Sequence, residues 1–373
     1  MDLFLSPDPV ITQEIIGNYT VFLLDGNTLD SLKVRAGTVV GYLRAVNKHY
    51  KRNHTHEPFN KDDESDAAVL VRDQEKFEKK PDKRNPLTNA MCLKMCQLAK
   101  EDKDSVGFRS AAWDWTALGR YGGFRAQEFC MEKSKKIRYY AMPDGTLIVR
   151  AFVHRNFTYY DGEGTRMDDE LALRKRRLVQ AAGQIYDVQK NRQNGQEITQ
   201  ARLQPNPELD AGPCSTSDLC PVRRSLSIKT RANVLGHTDP EDPLCVYRKK
   251  CGDVVYLTGT DMTEYYRFVL RLVQPSVTDD EVSLISTHSL RVCACVLLHE
   301  AGKDGPYIKI RLRWLSNCYE VYLRNTETIR QQHSEAMAGS NAMMAKLVLD
   351  AAEARDIVQV REDLDMDDLE DDD

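Results

Sequence analysis

The feature that most constrains the fold is a helix that the sequence predicts from about residue 287 onward. Apolar residues recur there at i, i+3, i+4, i+7 and i+8, the spacing that places side chains on one face of a helix. These positions are Leu290, Cys293, Ala294, Leu297 and Leu298. Ser286 or Thr287 can cap the first turn. The helix is therefore predicted to bury one face in the core of its domain.

Two polar residues at the start of this helix form a candidate binding site. His288 and Arg291 are three residues apart and lie off the apolar face, so they project together from the first turn. The backbone N–H groups of a first turn also favour a bound anion. This end of the helix is therefore predicted to bind a phosphate.

A second motif follows the helix, which is predicted to end at Gly302. Within the next, basic segment, Trp314 precedes Tyr322 by eight residues. Together with the His-x-x-Arg pair, this order resembles the second signature box of the tyrosine recombinases and phage-type integrases. In that family these residues cut and rejoin DNA, and the tyrosine is the nucleophile. The matching positions here are His288, Arg291, Trp314 and Tyr322.

The spacing within this box leaves a second nucleophile open. The step from Trp314 to Tyr322 is one residue shorter than in the commonest form of the motif, so Tyr319 is the alternative. Many relatives have histidine where this chain has Trp314. The resemblance implies that the indole packs under the bound phosphate and donates its N–H.

A turn further upstream resembles the first signature box of the same family. The stretch LGRYGGFRAQEFC contains Gly122 and Gly123, followed by Arg125 and Glu128. In the family such a turn presents an arginine to the scissile phosphate, while the acid helps to hold the helix. Arg125 is thus a candidate phosphate ligand; the alternative is that it only pairs with Glu128 of its own helix.

A predicted β-hairpin carries the candidate general acid. Strand-like runs over 184–189 and 196–203 flank KNRQNG, whose Asn194-Gly195 dipeptide is a strong hairpin signal. In the recombinases a lysine on such a hairpin reaches the site and protonates the leaving oxygen. Lys190 is the candidate, and Arg192 is the alternative if the register of the turn slips. The long interval from Arg125 to Lys190 suggests an insertion that carries RKRR at 174–177.

Length and composition fit a two-domain protein without a membrane anchor. The 373 residues are enough for two hydrophobic cores, and 41% hydrophobic with 29% charged residues is an ordinary globular balance. The N-terminus, MDLFLSPDPV, lacks the basic and apolar regions of a secretion signal, and no apolar run reaches the length of a bilayer span. We expect a protein that is neither secreted nor membrane-bound, and nuclear if its source is eukaryotic.

The net charge of −5 is concentrated at one end of the chain. The stretch EDLDMDDLEDDD at 362–373 holds nine of the 57 acidic residues and no basic one. The rest therefore carries 52 basic against 48 acidic side chains, a net charge of +4. The acidity is thus no argument against a DNA-binding protein. The run at 361–373 is predicted to be a disordered tail.

The cysteines give no sign of a metal site or a disulfide framework. The ten cysteines are scattered without C-x-x-C spacing, which favours reduced thiols in an intracellular protein. His49, His54 and His56 cluster, but no cysteine lies near them at ligand spacing. Neither a metal nor another cofactor is expected.

The first 80 residues are predicted to form a small helical domain, with helices over 11–24, 38–52 and 63–72. In the second helix, basic residues gather opposite an apolar stripe and can track DNA phosphates, although they equally fit a solvated surface. These residues are Arg44, Lys48, Lys51 and Arg52. Pattern and position resemble the core-binding domain of the integrases, which clamps DNA opposite the catalytic domain.

The remaining chain is predicted to hold the catalytic domain. A linker ends at residues 81–85, and residues 86–325 read as mainly α with a small antiparallel sheet, an α+β fold in a two-domain DNA clamp. Residues 326–360 offer two further helical pieces with apolar surface. In the family, a segment after the nucleophile often docks on a neighbouring protomer and closes a ring of four, whereas the alternative is packing on the chain's own catalytic domain.

The resemblance implies a DNA strand-exchange enzyme. Two arginines would bind the phosphate oxygens in two-point fashion, His288 would activate Tyr322, and the product would be a 3′-phosphotyrosyl intermediate that needs neither metal nor ATP. Double-stranded DNA and a homotetramer on paired sites are the expected partners. The chain would suit a recombinase of a eukaryotic mobile element. The alternatives are a type IB topoisomerase or telomere-resolving enzyme, and a catalytically silent, domesticated DNA-binding protein.

Overall fold

The described part of the chain falls into two units. The chain divides into Met1–Asp82 and Lys83–Asp373. The computed structural model describes residues 8–25, 34–50, 58–78, 84–142, 144–188, 194–323 and 334–335. Several predicted positions lie outside these ranges, namely Lys51, Arg52, Lys190, Arg192, His54, His56, the 361–373 tail and all but residues 334–335 of the segment 326–360.

The described residues of the first unit form three helices, as the apolar patterns predicted. They are α1 (Pro9–Leu24), α2 (Ala36–Tyr50) and α3 (Asp66–Phe77). The side chain of Asp8 caps α1 by accepting a hydrogen bond from the N–H of Val10 at 2.8 Å. The helices bury an apolar cluster that includes Ile16, Leu43 and Val71, each fully buried. The third helix starts and ends later than the predicted span of 63–72.

The described residues of the predicted basic face of α2, Arg44 and Lys48, are exposed. Arg44 and Lys48 are four residues apart and both point to solvent, while Val39 and Leu43 are buried on the other side. The first unit therefore has the amphipathic helix that the sequence indicated, and its exposed side carries these two cations.

The second unit is mostly helical. Its helices are α4 (Asn89–Asp102), α5 (Phe108–Gly122), α6 (Ala126–Phe129), α7 (Asp169–Arg174), α8 (Pro207–Asp210), α9 (Thr216–Leu219), α10 (Pro221–Val234), α11 (Gly259–Val273), α12 (Asp279–Ser283), α13 (His288–Glu300), α14 (Gly305–Leu312) and α15 (Glu320–Leu323). Helices α8 and α9 have four residues each, whereas α10 has 14.

Within the described residues, short strands pair into three antiparallel sheets, where one was predicted. The strands are β1 (Tyr139–Ala141), β2 (Leu147–Val149), β3 (Phe157–Tyr160), β4 (Arg166–Met167), β5 (Ala181–Tyr186), β6 (Gln196–Ala201), β7 (Val246–Arg248) and β8 (Val254–Tyr256). The largest sheet has the order β4-β3-β5-β6, and β1-β2 and β7-β8 form two-stranded ladders. The predicted fold class, mainly α with small antiparallel sheet structure, is confirmed.

The predicted hairpin of β5 and β6 is present with different ends. Its last pair is Tyr186 with Gln196, so β5 starts and ends three residues before the predicted strand. Gly195 has a φ of 75°, a backbone conformation that glycine adopts without strain. Its N–H donates to the carbonyl of Tyr186 at 2.8 Å. The turn residues 189–193 lie outside the described part of the chain.

An aromatic cluster under the C-terminal end of α5 forms the centre of the core. The ring of Trp115, which is fully buried, stacks on Phe152 with centroids 6.1 Å apart. Phe124 meets Phe152 edge to face at 5.2 Å, and Phe129 is also fully buried. Because Phe124 and Phe129 lie on either side of Arg125 in sequence, their burial holds the backbone of that turn against the core.

Helix α13 is more deeply buried than its apolar stripe predicted. Leu290 and Cys293 pack into the main core, whereas Ala294 and Cys295 pack into a second cluster against α14 and α15. Arg291, predicted to lie off the buried face, is only 2% exposed. The prediction of a single buried face was wrong, because the helix separates two apolar clusters and both sides are covered.

No helix in the described ranges has the length and apolar character needed to cross a membrane.

Candidate active site

The start of α13 is held by the segment that leads into α4. The N–H of Asn85 donates to the carbonyl of Leu284 at 3.1 Å, and the N–H of Leu87 donates to that of Ser289 at 3.4 Å. At the helix end itself, the hydroxyl of Ser286 accepts a hydrogen bond from the N–H of His288 at 3.3 Å. These bonds place His288 at the mouth of a cavity.

A tight glycine turn places Arg125 on the other side of that cavity. Helix α5 ends at Gly123, which has a φ of 55° and is therefore in the left-handed region that favours glycine. A side chain at Gly122 would collide with Phe124, since its Cβ would lie 2.2 Å from that ring. The chain then reverses, and Arg125 becomes the N-cap of the short helix α6. Both glycines are needed for this geometry.

Glu128 pairs with two arginines. Its carboxylate accepts one bond from Arg125 Nη1 at 3.0 Å and two from Arg313, at 2.9 and 3.0 Å. The second oxygen also accepts the backbone N–H of Arg125 at 2.9 Å. Burial alone would raise the pKa of Glu128, but the two guanidiniums outweigh it and lower this pKa. The alternative role of Arg125, an ion pair with Glu128, is therefore present, but it is part of a larger network that includes Arg313.

Arg313 also lines the cavity, although its sequence context predicted no role for it. Its side chain is fully buried and lies over the ring of Tyr186, 3.5 Å from the centroid. Its backbone, at a φ of 58°, ends α14 in the left-handed conformation. Burial lowers the pKa of Arg313, but the opposing effect of Tyr186 and Glu128 is larger and the pKa is raised. The sequence offers no signal for this role, because a basic residue near a helix end is ordinarily exposed.

Arg291 is anchored by backbone carbonyls from two other segments. It donates from Nη1 to Gly123 at 2.5 Å and from Nη2 to Leu312 at 2.7 Å. Burial, followed by repulsion from Arg125 and Arg313, lowers its pKa to about 9. The guanidinium is thus still mostly charged at neutral pH, and the local environment has an excess of positive charge. An anion bound here would relieve that repulsion.

Trp314 supports Arg291. The guanidinium of Arg291 lies 4.3 Å from the centroid of the indole ring, a stacking arrangement that holds its plane. The indole Nε1 is buried and has no acceptor among the described residues. The packing of this ring under a bound phosphate stays a prediction.

Tyr322 and His288 form the central pair. The Nε2 atom of His288 lies 2.9 Å from the phenol oxygen of Tyr322, and the two rings are 5.7 Å apart between centroids. Burial and the positive charges of Arg291, Arg84 and Arg125 lower the pKa of His288. The imidazole is therefore neutral at neutral pH and, with its proton on Nδ1, can accept the phenol proton at Nε2.

Tyr319, the alternative nucleophile, has a different environment. Its side chain belongs to the apolar cluster with Ile308, Leu312 and Leu323 and is 6% exposed. Its hydroxyl occupies the space next to Gly305, where a Cβ would come within 2.1 Å of it. Tyr319 is not among the residues that line the cavity.

One open cavity of about 660 Å³ is lined by five of the six predicted catalytic residues. Those on its wall are Arg125, His288, Arg291, Trp314 and Tyr322, together with Arg313. Three guanidiniums line the cavity, and the one carboxylate bonded to two of them is that of Glu128. The remaining positive charge favours a dianion or a phosphodiester with developing charge. The sixth predicted catalytic residue, Lys190, lies outside the described residues, and Arg44 and Lys48 belong to the first unit.

Comparisons with known proteins add only distant likeness. No protein-family model matches the sequence, and no curated protein is similar to it. Among solved structures, the chain is similar to the Tn1549 transposon integrase in complex with transposon right-end DNA, at 12% identity and a TM-score of 0.41, covering 89% of this chain and 87% of that one. A complex of the same integrase with circular intermediate DNA gives 10% identity, a TM-score of 0.38 and coverages of 86% and 84%. These values are too low for the likeness to bear on function.

Proposed function

We propose that this protein cuts and rejoins DNA strands in the manner of the tyrosine recombinases, with Tyr322 as the nucleophile. The observation that carries the proposal is the 2.9 Å contact between the Tyr322 hydroxyl and His288 Nε2, beside three guanidiniums in one cavity. A phenol has a pKa of about 10 and is a poor nucleophile at neutral pH unless a base and positive charge activate it. This cavity supplies both.

His288 is the general base in this proposal. Its lowered pKa keeps the imidazole neutral, so it takes the phenol proton as the Tyr322 oxygen attacks phosphorus. The P–O bond to tyrosine forms, and the bond from phosphorus to the 5′-oxygen of the next nucleotide breaks. The DNA is then joined to the protein through a 3′-phosphotyrosine. Because this ester keeps the energy of the broken bond, a second strand's 5′-hydroxyl can reverse the reaction without ATP.

Arg125 and Arg291 bind the non-bridging oxygens of the phosphate. Charge accumulates on those oxygens in the pentacovalent transition state, and a planar guanidinium can donate two parallel hydrogen bonds to them. Arg291 is held by two carbonyls and an indole ring, so little reorganisation is needed as the charge develops. The arginines supply the charge stabilisation for which other phosphoryl-transfer enzymes use a metal ion.

Glu128 and Arg313 are positioning residues in this scheme. Glu128 holds Arg125 by one side-chain and one backbone hydrogen bond and is itself held by two bonds from Arg313. Arg313 also donates to the carbonyl of Gly122 at 3.2 Å, so it ties the turn that presents Arg125 to the end of α14. Lys190 is the proposed general acid that protonates the departing 5′-oxygen, with Arg192 as the alternative.

Double-stranded DNA is the proposed substrate and partner. Arg44 and Lys48, exposed on one side of α2, are proposed to contact DNA phosphates, as are Lys51 and Arg52 farther along the chain. For strand exchange between two duplexes, we propose a homotetramer on paired sites. The segment 326–360 would form the contacts between its subunits.

The test is to trap the covalent intermediate. Because the target sequence is unknown, the purified chain is incubated with a pool of duplexes that carry a randomised region and a nick near its centre. The short fragment between the cleavage point and the nick diffuses away and takes the 5′-hydroxyl with it. Religation is then prevented, so an SDS-resistant protein–DNA adduct accumulates. Peptide mapping is expected to find the phosphodiester on Tyr322. A chain that binds the pool but forms no adduct, or an adduct on another residue, would contradict the proposal.

The trapped DNA then distinguishes recombination from related chemistry. Sequencing it identifies the preferred site, which is placed in one copy and in two copies on separate plasmids. Joined products that appear only with two sites support a recombinase. Relaxation of supercoiled plasmid without paired sites would instead assign the same chemistry to a type IB topoisomerase.

A further inference from the structure

A cluster of potential metal ligands lies among side chains that do not line the catalytic cavity. The sulfur atoms of Cys96 and Cys214 and a carboxylate oxygen of Asp218 all lie within 4.8 Å of one another. Cys96 comes from α4, whereas the other two come from the stretch that precedes and forms α9. Within the described residues, this is the one cluster of at least three histidine, cysteine or acidic side chains at metal-ligand distance.

Asp218 is held in place by its neighbours. Its Oδ2 accepts bonds from the N–H and the hydroxyl of Ser215, both at 2.8 Å, and lies 2.6 Å from Lys100 Nζ. The carboxylate is therefore oriented by bonds of the kind that orient carboxylates at metal sites.

The charges of the cluster match a divalent cation. Two thiolates and one carboxylate carry three negative charges, and the adjacent Lys100 contributes one positive charge. Both cysteines are buried, at 0% and 3% exposure, so two thiolates would be costly there without a cation.

The donor set and spacing suit zinc. Thiolate ligands select zinc-class ions over the harder Mg²⁺ and Ca²⁺, and Zn–S bonds of ~2.3 Å in a tetrahedron put two sulfurs ~3.8 Å apart. A spread of up to 4.8 Å between the ligand atoms needs only a small contraction. Cys96 and Asp218 also border a cavity of about 340 Å³, which leaves room for a water molecule as the fourth ligand.

We propose that Cys96, Cys214 and Asp218 bind one Zn²⁺ ion, with water in the fourth position. The ion would clamp an otherwise weakly structured stretch onto α4. Between Ala201 and Pro221 the chain forms only two four-residue helices, and the side chain of Lys100 already holds it by donating to the carbonyl of Pro213 at 3.0 Å. Bonds from Zn²⁺ to both α4 and this stretch would add directly to the free energy of folding.

Co²⁺ is the probe for this site because it replaces zinc and reports its ligands. The full chain, reduced with a phosphine and stripped with a chelator, is titrated with Co²⁺. The expected result is one Co²⁺ per chain, a thiolate-to-cobalt charge-transfer band in the near ultraviolet, and loss of that band when Zn²⁺ is added. Zn²⁺ should also raise the Tm of the stripped protein. Stoichiometric Co²⁺ without a charge-transfer band would overturn the proposal.

Matched cysteine variants locate the site. Cys96→Ser and Cys214→Ser should each weaken the charge-transfer band and abolish the rise in Tm with Zn²⁺. Cys92→Ser is the control, since Cys92 is buried one turn away on the same helix and also contacts another thiol, that of Cys293. A band lost in the control but kept in Cys96→Ser would overturn the assignment.

A milder variant tests the site without removing a thiol. Asp218→Asn keeps both thiols, so it should retain the charge-transfer band while Co²⁺ affinity falls roughly 10-fold or more. Circular dichroism of each stripped variant establishes that it is folded. Unchanged Co²⁺ affinity in folded Asp218→Asn would remove Asp218 from the site. A Cys96–Cys214 disulfide, found by peptide mapping of protein purified without reductant and unable to bind Zn²⁺, would replace the metal site with a covalent bond.

Discussion

The imidazole Nε2 of His288 lies 2.9 Å from the phenol oxygen of Tyr322, although the two residues are on different helices, α13 and α15. The segment between these two helices contains α14 and Trp314. The ring centroids of Trp314 and Tyr322 are 6.0 Å apart. A neutral base and a phenol in this arrangement can exchange a proton without any large movement of the chain. The predictions below follow from this pair and from the arginines around it.

Replacing Tyr322 by phenylalanine should abolish the covalent DNA adduct and leave DNA binding nearly unchanged. The substitution removes one hydroxyl and no positive charge, and binding depends mostly on cations. Tyr319→Phe is the matched control, because it deletes a hydroxyl that packs against Gly305. Adduct yield on nicked DNA and gel-shift affinity are measured for both. An adduct that persists in Tyr322→Phe and disappears in Tyr319→Phe would reverse the assignment.

Arg291→Lys should lower the rate of strand cleavage roughly 100-fold or more, with only a modest loss of affinity for DNA. Lysine keeps the charge but cannot bond two carbonyls and stack on Trp314 at once. The control is Arg271→Lys, since Arg271 is half-exposed and pairs with Asp279 on the surface. Single-turnover cleavage separates the two effects. Full activity in Arg291→Lys would exclude the phosphate-clamp role.

Arg313→Ala should lower the free energy of unfolding by about 3–5 kcal/mol, because Glu128 is left buried with a reduced set of partners. Arg313→Gly should be less damaging by about 1 kcal/mol, since it relieves the left-handed backbone at a φ of 58°. Lys103→Gly is the control: Lys103 is exposed at a φ of 50°, so only the backbone benefit should appear. Urea denaturation gives all three values. Equal stability of Arg313→Ala and the wild-type chain would show that the ion pair contributes little.

The cleavage rate should fall at acid pH with a midpoint below 6.5, the ordinary pKa of histidine. His288 must be neutral to accept the phenol proton, and its lowered pKa means that protonation occurs only at more acid pH. Arg84→Ala should move the midpoint upward, because Arg84 is one of the charges that lower this pKa. Its guanidinium otherwise bonds only the carbonyl of Ser283 among the described residues. A midpoint that stays in place in His288→Asn would assign the titration to another group.

Features that depend on residues close together in the sequence were predictable from it. The periodic apolar positions of α13, the Gly122-Gly123 turn and the hairpin signal at Asn194-Gly195 all reflect local sterics, and each element is present. The ends of the elements were less accurate. β5 is displaced by three residues because its pairing with β3, as well as the turn, determines where it begins.

The sequence by itself therefore determined the local elements and the residue types available for phosphate chemistry, whereas the tertiary structure decided how they combine. Arg313 gave no sign of its role, since the pair that it forms with Glu128 joins α6 to the end of α14 and exists only once both are buried. Cys96 and Cys214 likewise appeared to be scattered thiols until α4 and the stretch before α9 came together. Local conformation is encoded within a few residues, but burial and long-range pairing depend on the packing of the whole domain, and no short motif records them.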